Sequence, residues 1–211
     1  MIKAVHFDLD GTLVNSLPFY VKAYAETYSY FGLNLSKEQV VANMPRKTAD
    51  ICKELKLSNE EFNKVYMKNI YRLFVDVKPF TDIVDFMTQL RAKVKSISIV
   101  SFAYREYVTW TLNRHGIGSL FDYVVTFEDV KEPKPAPEAV LKACACFKVR
   151  PEETLIVGDT KSDMLMGKAA SAKTCLFVPQ DNVEIYGKKY YESIEADYRI
   201  TNLNELLEFI V

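Results

Sequence analysis

The chain has 211 residues, 49% of them hydrophobic, and a formal charge of −1 from 27 Lys and Arg against 28 Asp and Glu. That length allows one well-buried domain, or a large domain carrying a smaller one. Acids and bases are interspersed, so there is neither the electrostatic footprint of a nucleic-acid-binding protein nor a polybasic membrane patch, and any anionic partner must be held locally.

No apolar run approaches the roughly 20 residues of a spanning helix, and "MIKAVHFDLD" lacks the basic head, apolar middle and cleavage site of a secretion signal. A cytoplasmic protein, monomeric or homodimeric, is expected. Cys52, Cys144, Cys146 and Cys175 fit that setting as reduced thiols. The pair in "CAC" at 144–146 points in two directions on a helix, so core packing is its expected role rather than metal ligation.

In chain order, strands are expected at "KAVHFD" (3–8), "SISIVS" (96–101), "YVVTF" (123–127), "TLIVGD" (154–159) and "KTCLFV" (173–178). Helices fall between them around 82–92, 104–115, 136–147 and 161–171, and "LNELLEFIV" closes the chain. Alternation of this kind predicts an α/β fold, a Rossmann-like parallel sheet flanked by helices. Positions 15–80 break the rhythm with helix after helix and no strand. They predict an all-helical insertion, with 1–14 and 81–211 forming the α/β core. Tyr20, Tyr24, Tyr28 and Phe31 keep helical spacing and are expected to pack inside this insertion. The Tyr-rich segment 182–199 reads as a surface loop with a short helix, or as one whose aromatics pack against a neighbour.

In an open parallel sheet the strands point their C-terminal ends to one edge, where ligands bind. Here the first strand ends in Asp8, the second in Ser101 and the fourth in Asp159, with Asp163 one turn into the next helix. Any one of these alone reads as well as a cap or loop residue. Together, carboxylates at one edge repel unless a cation compensates, and Asp8, Asp10 and Asp159 suit a hard divalent ion. Mg²⁺ fits best, and zinc poorly, because no His or Cys is placed to join them. His6, inside the strand, is expected to pack or hydrogen-bond there; His115 lies at a helix end, where positive charge is favourable.

Four stretches then carry a resemblance: "DLDGT" (8–12), the hydroxyl residue closing "IVS" (99–101), "KEPKPAPEAV" (131–140) and "IVGDTKSDMLMGKAA" (156–170). In order and spacing they resemble the four signature motifs of the haloacid dehalogenase-like hydrolase superfamily, across nearly the whole chain. Singly "DxDGT" is moderately specific and "KPxP" weak; the four in order are far more so. The insertion is similar to the small helical cap of the phosphoglycolate phosphatase and β-phosphoglucomutase branch.

That resemblance implies Asp8 as nucleophile, forming an aspartyl-phosphate, and Asp10 as general acid and then base. It implies Mg²⁺ held by the Asp8 carboxylate, the Asp10 carbonyl and Asp159, with Asp163 in support. Ser101 would donate to the phosphoryl oxygens and Lys134 would place its charge against Asp8 and the phosphate. Lys131 is a rival for that task, and Glu132 and Pro133 stand where the family usually has a glycine. Leu9, Gly11, Thr12 and Phe102 would line the phosphoryl group, and Thr12 reads equally as a local hydrogen bond that holds the loop. Gly11 is expected to turn the chain and leave backbone N–H groups open to it, with the Leu9 side chain facing the core.

Asp10 favours a phosphatase or phosphomutase over a dehalogenase, which has no alkoxide to protonate. Some similar sugar phosphomutases use a cap histidine, and 15–80 contains none, which favours hydrolysis of a small phosphorylated metabolite. Arg46 and Lys47, in "MPRKTAD", are candidates to bind a carboxylate or second phosphate, as in a phosphoglycolate-like acid or sugar phosphate; a solvated basic turn is the plainer alternative. A binding or regulatory protein of the same fold is the third reading. The presence of Asp8, Asp10 and Asp159 argues against it.

Overall fold

The computed structural model describes residues 1–210, and the chain divides into two compact units, Met1–Asn15 with Pro79–Val211 and Ser16–Lys78. The first is built on six parallel strands: β1 Ala4–Phe7, β2 Ser96–Val100, β3 Tyr123–Val125, β4 Thr154–Gly158, β5 Lys173–Phe177 and β6 Tyr198–Ile200. They lie in the order β3-β2-β1-β4-β5-β6, each paired parallel to its neighbour. This is a Rossmann-like α/β fold, with the order reversing between β1 and β4, where such sheets open a crevice.

The central strands are buried along their whole length, as expected of parallel strands covered on both faces. Their polar members are satisfied internally. His6 Nδ1 lies 2.7 Å from Ser98 Oγ, its ring stacks on Phe147 at 6.1 Å, and burial lowers its pKa to about 4. Covering helices follow the strands, numbered here from α5, after the four helices α1–α4 of the second unit. They are α5 Ile83–Arg91, α6 Arg105–Arg114, α7 Glu138–Phe147, α8 Lys161–Ala169, α9 Gln180–Tyr186, α10 Lys188–Glu192 and α11 Leu206–Phe209. His115 caps the end of α6, as its sequence position suggested.

Three features depart from the sequence reading. Segment 182–199 is not a surface loop: it holds α9, α10 and the start of β6. Tyr191 and Ile194 close a buried cluster with Met164 and Leu176, and Tyr186 and Tyr190 pack against it, while Tyr198 stays exposed. Arg199 then fastens the turn, donating to the carbonyls of Tyr191 and Ile194 at 3.0 and 3.1 Å. The closing helix starts as a 3-10 turn, Leu203–Glu205, because Asn202 and Glu205 cap one another there. Its expected last residue, Val211, lies outside the described residues. At the sites of departure and return, Phe80 N donates to Leu13 O at 3.1 Å and Val14 bridges Pro79, so residues 79–80, together with Asn15, go with the α/β unit.

The second unit holds α1 Leu17–Tyr30, α2 Lys37–Asn43, α3 Thr48–Leu55 and α4 Asn59–Leu73. Ser36 and Ser58 cap α2 and α4, accepting from Gln39 and Glu61 amides. Tyr24, Tyr28, Val40, Ile51, Cys52 and Phe62 form its core. Phe31 stacks on Phe62 at 5.9 Å and Tyr20 meets Phe74 edge-on at 4.7 Å, so the spaced aromatics of α1 do pack within the unit. Of the four cysteines, all free, only Cys146 is exposed. Among the described residues no helix is long and apolar enough to cross a membrane.

Candidate active site

The two strands that flank the reversal of the sheet each hand a buried aspartate to the same edge. Asp8 follows β1, and its amide extends the ladder by donating to Val157 O of β4 at 2.9 Å. Asp159 follows β4 and is fully buried. Asp163 comes one turn into α8, where it completes a capping box: Thr160 caps the helix and its amide donates to Asp163 Oδ2 at 3.0 Å. Carboxylate oxygens of Asp8, Asp159 and Asp163 all lie within 4.8 Å of one another.

Among the described residues, one cation forms ion pairs with this group. Lys134, in the loop between β3 and α7, donates to Asp8 Oδ1 at 2.8 Å and to Asp163 Oδ1 at 2.6 Å, with its side chain 10% exposed. Its ammonium also lies 5.3 Å from the centre of the Phe102 ring. Lys131 is exposed, and its amide donates to Glu138 Oε2 at 2.8 Å, as does that of Glu132 at 3.0 Å. Glu138 therefore fixes the loop where a glycine was expected, and of the two lysines it is Lys134 that reaches the acids.

Burial pushes the Asp8 carboxyl up to about 7; Lys134 pulls it down, and Asp163 and Asp10 push it further up. Burial, then the charges of Asp163 and Asp8, raise Asp159 well above the usual carboxylate range. Burial opposes the charge on Lys134, but Asp163 and Asp8 outweigh it and raise its pKa. Three buried acids against one ammonium leave negative charge uncompensated. A hard divalent cation fits this donor set, which offers oxygen alone and neither imidazole nor thiolate.

The loop after β1 frames the group. Gly11 sits at φ +75°, and a Cβ there would come within 2.5 Å of Asp159 Oδ2, so both conformation and space require glycine. Contrary to expectation its amide is engaged rather than open: it donates to Val14 O at 2.9 Å, and the Thr12 amide donates to Leu9 O at 3.4 Å, because the turn closes on itself. Thr12 Oγ1 donates to Asp159 Oδ1 at 3.2 Å, and the Leu9 side chain is wholly buried. Ser101 is buried and its Oγ accepts from the Ala103 amide at 3.2 Å, which leaves its own proton to donate. The Asp10 carboxylate accepts from the Tyr107 hydroxyl at 2.7 Å, and its charge acts on Asp8. Arg46 and Lys47 belong to the other unit. There Arg46 is held by Asn43 Oδ1 at 2.8 Å and Glu54 Oε2 at 2.5 Å, and Lys47 occupies the N-cap of α3.

Two residues at the site carried no motif. Asn182, fully buried in α9, donates to Gly11 O at 2.8 Å and to Asp159 Oδ2 at 3.1 Å, tying the β1 loop to the end of β4. Tyr107 is the other. Each lies in the first turn of a helix that follows a strand, so its signal was position at the sheet edge rather than residue pattern.

A parallel sheet that gathers three acids and a lysine at its reversal is an α/β fold with a candidate site at its switch point, and comparison with known proteins gives the family. Residues 5–177 match the family model "Haloacid dehalogenase-like hydrolase", and the chain belongs to that family, as a phosphatase-type enzyme. It is 30% identical to a pyrophosphatase PpaX of Anoxybacillus flavithermus over 99% of this chain and 97% of that one. In fold it is similar to a predicted phosphoglycolate phosphatase of Haemophilus somnus, at TM-score 0.80 and 21% identity, covering 98% of this chain and 97% of that one. A haloacid dehalogenase-like hydrolase of Streptococcus pneumoniae is equally similar, at TM-score 0.80 and 20% identity over 100% and 99%.

Proposed function

We propose that the protein is a Mg²⁺-dependent phosphatase that hydrolyses a small phosphorylated substrate through an aspartyl-phosphate on Asp8. The observation that carries this reading is the ammonium of Lys134 shared between Asp8 and Asp163 beside Asp159. A carboxylate can attack a phosphate dianion only where positive charge screens both. Asp8, Asp159 and Asp163 would hold the ion, with the Asp10 carbonyl as a further ligand, and bound Mg²⁺ supplies the remaining charge.

An oxygen of Asp8 attacks phosphorus, and the bond from phosphorus to the leaving oxygen breaks. Asp10 gives that oxygen its proton. Asp10, now a carboxylate, takes a proton from water as the water attacks phosphorus, and the bond to Asp8 breaks to release phosphate. Ser101 donates its hydroxyl to the phosphoryl oxygens. Lys134 has three donors, two of them engaged with Asp8 and Asp163, and the third faces the incoming phosphate. Gly11 and Thr12 hold the loop beneath it and Phe102 completes the wall, whereas the buried Leu9 side chain supports the loop from the core and does not line the phosphate.

The helical unit Ser16–Lys78 acts as the cap and selects the substrate. Arg46 already has two partners within that unit, so Lys47 is the freer of the two cations to meet a substrate anion. The relatives called pyrophosphatases put inorganic pyrophosphate first among candidates, ahead of phosphoglycolate-like acids and sugar phosphates. The enzyme works in the cytoplasm, as a monomer or homodimer.

Phosphate release from p-nitrophenyl phosphate, pyrophosphate and a panel of phosphometabolites tests the proposal, run with and without Mg²⁺ and a bisphosphosugar activator. Mg²⁺-dependent release, lost in Asp8→Asn, is expected. No turnover by folded, Mg²⁺-loaded protein would remove the hydrolase reading, and transfer that needs the bisphosphosugar would make the enzyme a mutase.

A further inference from the structure

Tyr107 is six residues beyond Ser101, in the first turn of α6, and is 6% exposed. A phenylalanine would supply the same ring; the hydroxyl adds a polar group whose burial is costly unless bonded. Its bond is to Asp10 Oδ1, at 2.7 Å. The ring is backed from one side of α6. Tyr107, Trp110 and Arg114 are three and four residues apart, on one helix face. Tyr107 stacks with Trp110 at 6.5 Å and 27°, and the Arg114 guanidinium lies 5.7 Å from the Trp110 ring centre.

We propose that Tyr107 is a positioning residue: its hydroxyl, bonded to Oδ1, fixes the orientation in which the Asp10 carboxyl carries the proton to and from the substrate. This rests on the reading of Asp10 as general acid and base. Proton transfer needs the acid within hydrogen-bond reach of the leaving oxygen. Asp10 stands on a tight loop with two side-chain rotations of its own. A hydrogen bond to one carboxylate oxygen removes both freedoms, and the Trp110–Arg114 stack keeps the donor in place.

The test uses leaving groups. kcat/KM is measured for wild type, Tyr107→Phe and Asp10→Asn on substituted phenyl phosphates, from p-nitrophenyl phosphate to phenyl phosphate. These substrates share a shape but differ in their need for a proton, since p-nitrophenolate departs unaided far more readily than phenolate. Tyr107→Phe is expected to melt with wild type and stay close to it on p-nitrophenyl phosphate. On phenyl phosphate it loses about tenfold or more, the scale of one charge-assisted hydrogen bond. Asp10→Asn steepens the same dependence further.

A merely structural tyrosine would lower every substrate by one factor. Equal losses across the series, or none on phenyl phosphate beside a steepened Asp10→Asn, overturn the inference alone. An Asp10→Asn enzyme with wild-type kinetics overturns the reading of Asp10 and the inference with it. Should Tyr107→Phe fail to fold, Trp110→Leu carries the same test, because it unbacks the ring and keeps the hydroxyl. Its expected steepening is smaller, and a flat response overturns the inference.

Discussion

Lys134 and Asp163 stand 29 residues apart in sequence and 2.6 Å apart in space, joined by a hydrogen bond whose acceptor is fully buried. The same ammonium reaches Asp8 at 2.8 Å. A single loop lysine thus compensates two acids delivered by two different strand-to-helix connections.

Replacing Lys134 by Met removes that compensation and keeps the bulk. Breaking a buried ion pair from one side costs about 3–5 kcal/mol, which at this chain length lowers Tm by roughly 6–20 °C. Differential scanning calorimetry in EDTA measures it, and the loss should shrink when Mg²⁺ is added. Activity should fall about 100-fold or more, since a charge at the reacting phosphate is gone.

Metal removal gives the second prediction. Mg²⁺ brought to about 100 times its Kd should stabilise the folded protein by about 2.7 kcal/mol. Thermal melts across a Mg²⁺ titration read this directly. Asp159→Asn should abolish the shift, whereas an unchanged shift in that variant would place the ion elsewhere.

Gly11→Ala should damage the site through two causes acting together. The position needs a left-handed backbone, which costs a β-carbon roughly 1–2 kcal/mol, and the new carbon would sit 2.5 Å from Asp159 Oδ2. A stability loss of about 2 kcal/mol in urea melts is expected, with a larger loss of activity because Asp159 must move. Gly32, with a similar φ of +75° but nothing within 4 Å of a built Cβ, is the control: alanine there should cost only the backbone strain.

Asn182→Leu tests the residue for which the sequence offered no motif. It strips a donor from both Gly11 O and Asp159 Oδ2, buried groups whose loss of a partner costs about 1–3 kcal/mol each. Calorimetry should find that destabilisation, together with weaker Mg²⁺ binding by titration.

What the sequence disclosed and what it hid follow from the reach of local patterns. Asp8, Asp159 and Asp163 could be placed at one edge because each closes or follows an apolar run, and parallel strands share an exit. Strand β6 could not be read, since Tyr198–Ile200 is three residues long and its first two are exposed. Asn182 meets Gly11 across 171 residues, and Tyr107 meets Asp10 across 97, contacts that no spacing rule records. Tyr107 also sits in "REYVTWTLNR", where aromatic spacing suggests only packing. The amides of Gly11 and Thr12 misled for a related reason. A glycine turn shows that the chain can bend, while which carbonyl its N–H finds depends on how tightly it closes.

Asp8 is expected to carry the phosphoryl group during turnover. Wild-type and Asp8→Asn enzymes are mixed with a ³²P-labelled substrate and Mg²⁺, quenched in acid during turnover, and digested for peptide mapping. Label is expected on the peptide containing Asp8, released by hydroxylamine as an acyl phosphate, with neither label nor turnover in Asp8→Asn. Turnover by Asp8→Asn near the wild-type rate, with the wild-type Asp8 peptide unlabelled, would contradict that role.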